Sequence, residues 1–165
     1  MKNKHRLKGA VGCLILMISL TSAFAGDVFS GKVTAVRSAE IIVVDYGKGQ
    51  YIVRIAGIAA PVEGPIAAES KKIIDSMVLG KEVRARFVTR NKNGEMVSRL
   101  FVGDPGQEVG LELMKAGMVR RLQGDETDFG YKYGELTAAE NEARKARRGL
   151  WAATPVNTPP ANKPR

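Results

Sequence analysis

The spacing of apolar and polar residues marks five short stretches of the chain as strands and three further stretches as helices. Residues 28–37 form the first predicted strand, with Gly31 as an expected bulge. Residues 41–44 are a continuous β-branched run, which predicts a second strand buried on both faces. The loop 45–50 carries Gly47 and Gly49, which accept positive φ, and predicts a hairpin. The third strand starts at Tyr51: Tyr51, Val53 and Ile55 alternate with Ile52, Arg54 and Ala56. Gly57 then allows a bend, and Pro61 stops the pairing because it has no N–H to donate.

A helix is predicted next. Pro65 suits its first position, Ile66, Ser70, Ile73, Ile74, Met77 and Val78 share one face, and Gly80 ends it. In the fourth strand Val83, Ala85 and Phe87 alternate with Arg84, Arg86 and Val88, which turns the arginines outward. The turn at 91–94 leads to the fifth strand, 96–102, and Asp104, Pro105 and Gly106 turn the chain again. A short helix spans about 108–116, followed by an extended piece at 118–122 and an acidic loop at 125–130. The last helix spans about 133–148, with Leu136, Ala139, Ala143 and Ala146 on one face and an i,i+4 pair from Glu140 to Arg144. Gly149, Leu150 and Trp151 form an apolar plug. Five strands in two hairpin-rich groups with a helix after the third suit a small closed barrel of the OB type with three helices.

The ends of the chain read differently. Lys2, Lys4, Arg6 and Lys8 precede an apolar run at 11–20 that is short for a bilayer, and Ala23, Phe24 and Ala25 form an A-x-A cleavage pattern. Residues 1–25 therefore read as a secretory signal peptide and the protein as exported, periplasmic or secreted. The competing reading, a short membrane anchor, lacks a stop-transfer flank, and Cys13 stands at the start of the apolar run rather than after it, against a lipoprotein. Residues 26–153 form the domain, and 154–165, rich in proline, are an expected disordered tail. With the leader go the single cysteine and the single histidine, which excludes disulfides, thiol chemistry and histidine bases or ligands in the remainder. Without the four leader cations, 22 Lys and Arg face 17 acids, a net charge of +5. That excess permits a polyanionic partner and is equally explained by solubility.

The strand carrying Arg54, the turn Gly57-Ile58-Ala59-Ala60-Pro61, Gly64-Pro65 before the first helix, Gly80-Lys81-Glu82-Val83, Gly117-Met118-Val119 and the ending Glu140, Ala143-Arg144, Gly149-Leu150-Trp151 follow one another in an order that resembles the staphylococcal nuclease (thermonuclease-like) family. The resemblance runs from about Phe29 to Trp151 and implies an OB-fold barrel. It also implies phosphodiester hydrolysis with a bound Ca²⁺ held by aspartates, a glutamate acting on the attacking water, and two arginines stabilising charge on phosphorus.

Position by position, the implied machinery is degenerate. Ala39 stands where the resemblance puts one metal-ligating aspartate and Ala59 where it puts the other. Val62 stands for the general-base glutamate, and Glu95 for the second arginine, where a negative charge would repel phosphate. Asn93 replaces the turn's tyrosine. Arg54 is retained, either with an anion-binding role or paired with an acid at the barrel mouth. Glu40, one residue past Ala39, is expected to point away from the cleft because side chains alternate along a strand.

The resulting expectation is a binding module that has lost catalysis, with no metal or cofactor and with nucleic acid, another polyanion or a protein as partner. It is not expected to associate with a membrane once the leader is removed. The alternative is an active calcium-dependent DNA or RNA endonuclease with a displaced metal site built from Glu40, Asp45 or Glu63. Arg84, Arg86, Lys92, Arg120 and Arg121 are candidate nucleic-acid contacts, as are Arg90 and Arg99 beside them, although a solvated face is the more common meaning of such a cluster. Tyr131 and Tyr133 either stack on bases or dock the last helix.

Overall fold

The computed structural model describes residues 27–152. The leader 1–25 and the tail from 154 lie outside the described residues. Five strands close on themselves: β1 (Val28–Ser38), β2 (Ile41–Asp45), β3 (Gln50–Ile55), β5 (Glu82–Arg90) and β6 (Met96–Val102). β1 pairs antiparallel with both β2 and β5, β2 with β3, and β5 with β6. The ring closes through a parallel pairing of β3 with β6, Val53 opposite Met96 and Arg54 opposite Val97. This is the closed five-stranded barrel with three helices that the strand pattern and the resemblance anticipate.

Two short pairings complete the set. β4 (Ile58–Ala59) pairs with β8 (Arg120–Arg121), and β7 (Gln107–Glu108) extends β6. The helices are α1 (Pro65–Val78), α2 (Val109–Lys115) and α3 (Glu135–Lys145). No helix among the described residues is long and apolar enough to cross a membrane.

The barrel interior is filled by β-branched and leucine side chains, among them Val33, Ile42, Val44, Val53, Ile55 and Leu100. Ile74, Leu113, Met114 and Leu136 of the helices pack on the same core. β2 is buried through Ile42, Val43 and Val44, as its unbroken apolar run requires.

Gly31 is not at a bulge. The irregularities of the β1–β2 ladder fall between Val33 and Ala35 and between Val36 and Ser38, whereas Gly31 pairs in register with Val83. Its role is close approach: a Cβ there would lie 2.4 Å from the Asp45 carbonyl oxygen and 2.8 Å from the Tyr46 ring.

The last helix starts and stops inside its predicted span. Gly134, at φ 79°, precedes it, and the chain leaves helical geometry after Ala146, with Arg147 at φ 51°. The acidic loop is a 3₁₀ turn, Glu126–Phe129, with a structural purpose. The buried Glu126 carboxylate accepts hydrogen bonds from Leu136 N (2.8 Å), Thr137 N (3.0 Å) and the Thr137 hydroxyl, and so caps α3. Burial works against its ionisation, but the hydrogen bonds from Thr137 and Leu136 prevail and hold it below the usual carboxylate range. Glu126→Ala is expected to lower stability by about 2 kcal/mol in urea unfolding, the upper end for loss of a helix cap.

Candidate functional site

The cleft is built where the β1–β2 turn, the end of β3, the turn before β6 and the 56–61 segment meet. Ser38 pairs with Ile41, so Ala39 and Glu40 form a two-residue turn. Ile41 pairs with Arg54, and Ile55 N donates to the Glu40 carbonyl at 2.8 Å, which sets Glu40 beside the end of β3.

Contrary to the alternation expected of a strand, the Glu40 side chain points into this cleft. Strand alternation applies within a pleat, and Glu40 lies in the turn before the pleat begins. One carboxylate oxygen is 2.5 Å from Arg54 Nη1, and the other accepts from Ala60 N at 2.8 Å. Glu40 thus ties the 56–61 segment to β3.

Glu95 holds the other side of the same guanidinium. Its Oε2 lies 2.8 Å from Arg54 Nε and accepts from Asn91 Nδ2 at 2.7 Å. Asn91 also closes the turn through its own carbonyl oxygen Oδ1, which accepts from Asn93 N and Glu95 N. The turn that positions Glu95 is therefore self-supporting.

Arg54 is gripped by two carboxylates that are themselves held, with side-chain exposures of 20% for Glu40 and 14% for Glu95. Burial works to lower the Arg54 pKa, but the bonds and charges of Glu95 and Glu40 outweigh it and raise it. Hydrogen bonds from Arg54 and Asn91 hold the Glu95 carboxyl below its usual range, helped by the nearby charge of Arg37. Of the two readings open for Arg54, pairing with an acid is the one this geometry contains.

The other positions of the cleft lack polar side chains. Ala39 is buried at the turn, Ala59 lies in β4, and Val62 projects into solvent with 93% exposure. Glu63 is exposed on the same loop and makes no ion pair among the described residues. Asp45 lies four residues along β2 from the level of Arg54, about 13 Å at strand rise, and its carboxylate accepts from Gly47 N to close the hairpin loop. Glu40, Asp45 and Glu63 are therefore not gathered into one site. No group of three or more His, Cys, Asp or Glu side chains among the described residues is placed to hold a metal. The two carboxylates of the cleft, Glu40 and Glu95, already enclose a guanidinium, and the alanines offer no side-chain oxygen, so the side chains present do not fit a calcium ion.

The cationic candidates fall in separate places. Arg84 and Arg86 lie on β5. Arg84 donates to the Gly103 (3.4 Å) and Pro105 (3.1 Å) carbonyls, and the Arg86 guanidinium sits 5.6 Å from the Phe101 ring centroid. Lys92 is exposed on the turn beside Glu95, and Arg90 donates to the Gly94 carbonyl there. Arg120 and Arg121 lie on β8, backbone-paired with Ala59 and Ile58. Arg120 reaches over Trp151, and Arg121 donates to the Leu122 and Gly124 carbonyls.

Arg99 is not a surface residue. It is 8% exposed, 4.1 Å from the Tyr131 ring centroid, and donates to the Gly130 carbonyl at 2.9 Å. Tyr131 is buried and donates to Glu108 at 2.8 Å, whereas Tyr133 is 89% exposed and does not dock the last helix. Sequence alone groups Arg99 with the cationic candidates of the neighbouring strands, because what covers it is a distant part of the chain, residues 130–135.

Comparison with known proteins agrees with this fold. Residues 52–153 match the family described as staphylococcal nuclease homologue. The chain is 34% identical over 120 residues to the probable endonuclease LCL3 of Podospora anserina, covering 64% of this chain and 43% of that protein. It is 28% identical over 113 residues to the corresponding protein of Phaeosphaeria nodorum, 38% of whose length is covered. An uncharacterized endonuclease of Escherichia coli O157:H7 is 29% identical over 145 residues, 87% of this chain and 90% of that protein. The chain thus spans less than half the length of the fungal relatives and nearly all of the bacterial one. A family match over more than half of the chain, together with the closed five-stranded topology, places the chain in the staphylococcal nuclease family.

Proposed function

We propose that this chain is an exported, non-catalytic binding module of the staphylococcal nuclease family, with nucleic acid as its partner. The observation that carries the reading is the Arg54 clamp. Glu40 and Glu95 compensate the one retained arginine, so the trio carries a net charge of −1. An arginine in that state is a poor phosphate ligand, because a phosphate oxygen would have to displace a carboxylate already hydrogen-bonded at 2.5–2.8 Å. Loss of one electrostatic stabiliser costs about 10²–10³ in rate, and here the alanines and Val62 remove the acids as well. The nucleic-acid partner is inferred from relatives named as endonucleases and from the basic balance of the chain.

The second reading, a working endonuclease, draws on the same names and on Glu63, whose exposed carboxylate lies next to Val62. A nuclease assay on the purified protein decides between them. Plasmid DNA and single-stranded RNA are incubated with calcium, magnesium or manganese, and in parallel with chelator. The expected result is no cleavage under any condition, and no calcium-dependent change in melting temperature. Chelator-sensitive cleavage that Glu63→Ala abolishes would establish the endonuclease instead.

A further inference from the structure

The same barrel carries a second cavity, of about 470 Å³, lined by Val28, Phe29, Tyr46, Lys48, Tyr51 and Arg90 among others. That volume is within the range of small-molecule sites. The floor is a row of three aromatic rings. Phe29 meets Tyr46 edge to face at 5.9 Å between centroids, and Tyr46 meets Tyr51 at 5.5 Å. The row exists because Gly31 has no side chain, which lets Tyr46 lie against β1.

The two outer rings are unusually open for aromatics on a small barrel, Phe29 at 38% and Tyr51 at 39% exposure. The Tyr46 hydroxyl is shielded from solvent and has no hydrogen-bond partner among the described residues. A buried hydroxyl of that kind costs free energy until something completes it. The charged residues of the lining are both cationic, Lys48 and Arg90, and Lys48 makes no ion pair among the described residues. Asp45, the nearest acid in sequence, turns its carboxylate to Gly47 N.

We infer that this aromatic pocket, and not the Arg54 cleft, is a binding site for the bases of single-stranded nucleic acid. Open rings accept a base on their π-faces, and the two cations meet flanking phosphates. A duplex hides its base faces and does not fit the same chemistry. The inference names the ligand class of the binding role proposed above, yet it stands whether or not the chain also cleaves.

The test is fluorescence anisotropy of the purified protein with labelled oligothymidylate, against a hairpin duplex of equal length, in chelator. Single strand is expected to bind and duplex to bind much more weakly. Tyr51→Ala and Phe29→Ala are each expected to weaken binding about 5- to 150-fold, with Tyr51→Trp retaining it. Lys48→Ala is expected to flatten the dependence on salt by about one counterion. Both aromatic positions are exposed, so circular dichroism melts are expected to stay near wild type and to separate lost binding from lost folding. Unchanged affinity in both alanine variants, equal affinity for duplex, or no binding by the wild-type protein overturns the inference; the last outcome would leave the pocket to an apolar peptide. Cleavage in the nuclease assay with pocket-dependent binding intact would overturn the non-catalytic reading alone.

Discussion

Glu108→Ala is expected to lower the unfolding free energy by about 3–5 kcal/mol, the range for removing one partner of a buried ion pair. Glu108 and Arg99 are each 8% exposed. Glu108 does three jobs at once. Its Oε2 accepts from Leu111 N at 2.6 Å and caps α2, its Oε1 accepts from the Tyr131 hydroxyl at 2.8 Å, and Oε1 lies 3.8 Å from Arg99 Nε. The last separation is too long for a hydrogen bond, so Arg99 Nε is balanced by charge alone.

Alanine would leave the buried guanidinium with Glu135, at 3.8 Å, as its one carboxylate among the described residues and would orphan the Tyr131 hydroxyl except for a long contact to the Ala56 carbonyl. The expected fall in melting temperature is about 10–20 °C for a domain of this size. Glu108→Gln keeps one of the two acceptors, for Leu111 N or for the Tyr131 hydroxyl, and is expected to cost less than alanine. The sign of its pH effect follows from burial, which pushes the Glu108 carboxyl up despite the bonds from Leu111 and Tyr131 and the charge of Arg99. A raised folded pKa gives stability that is present below the unfolded value and is lost as pH rises through the folded value. The glutamine variant is expected to lose that dependence. Urea unfolding of both variants across pH 4–8 checks the order, and an alanine cost under about 1 kcal/mol would sink the account.

The second large effect concerns the Arg54 clamp. Glu40→Gln combined with Glu95→Gln is expected to cost about 3–5 kcal/mol, from about 1.5–3 kcal/mol for each charge-assisted hydrogen bond. The pairs are part-buried, with 27% exposure of the Arg54 side chain, so screening by water is incomplete. Adding Arg54→Met to the double variant is expected to recover much of the loss, because no charge is then left without a partner.

The freed guanidinium in the double variant is expected to bind inorganic phosphate about tenfold more tightly than wild type, the equivalent of one charge-assisted bond. Calorimetry or chemical-shift titration reads this directly. Depression of the Glu95 pKa means that the clamp stabilises fully above the unfolded carboxylate range and weakens as pH falls through the folded value. Wild type is therefore expected to lose stability on acidification below about pH 4.3, and Glu95→Gln to lose less. A triple variant no more stable than the double one, or a double variant with unchanged phosphate affinity, would show that Arg54 is not held as described.

The strands, the helices and the absence of a carboxylate at positions 39, 59 and 62 are local facts, and they were legible in the residues. Fully β-branched Ile41-Ile42-Val43-Val44 is a strand in almost any surroundings, and an alanine has no carboxylate whatever the fold. What surrounds Arg54 was legible only in part. Glu95 stands 41 residues away and Glu40 sits in a turn, where alternation gives no direction to a side chain. Arg99 read as a candidate contact or part of a solvated face because its cover comes from residues 130–135 and from Glu108, which spacing along β6 does not reveal.

By itself the sequence determined which segments form strands and helices, which family they resemble and that positions 39, 59 and 62 carry no carboxylate, because these depend on side-chain identity and short-range periodicity. Only the tertiary structure decided that Arg54 is neutralised from two sides and that Phe29, Tyr46 and Tyr51 share one open pocket. Both depend on strands that meet across the barrel, and the register of such long-range pairs is set by how the whole core packs.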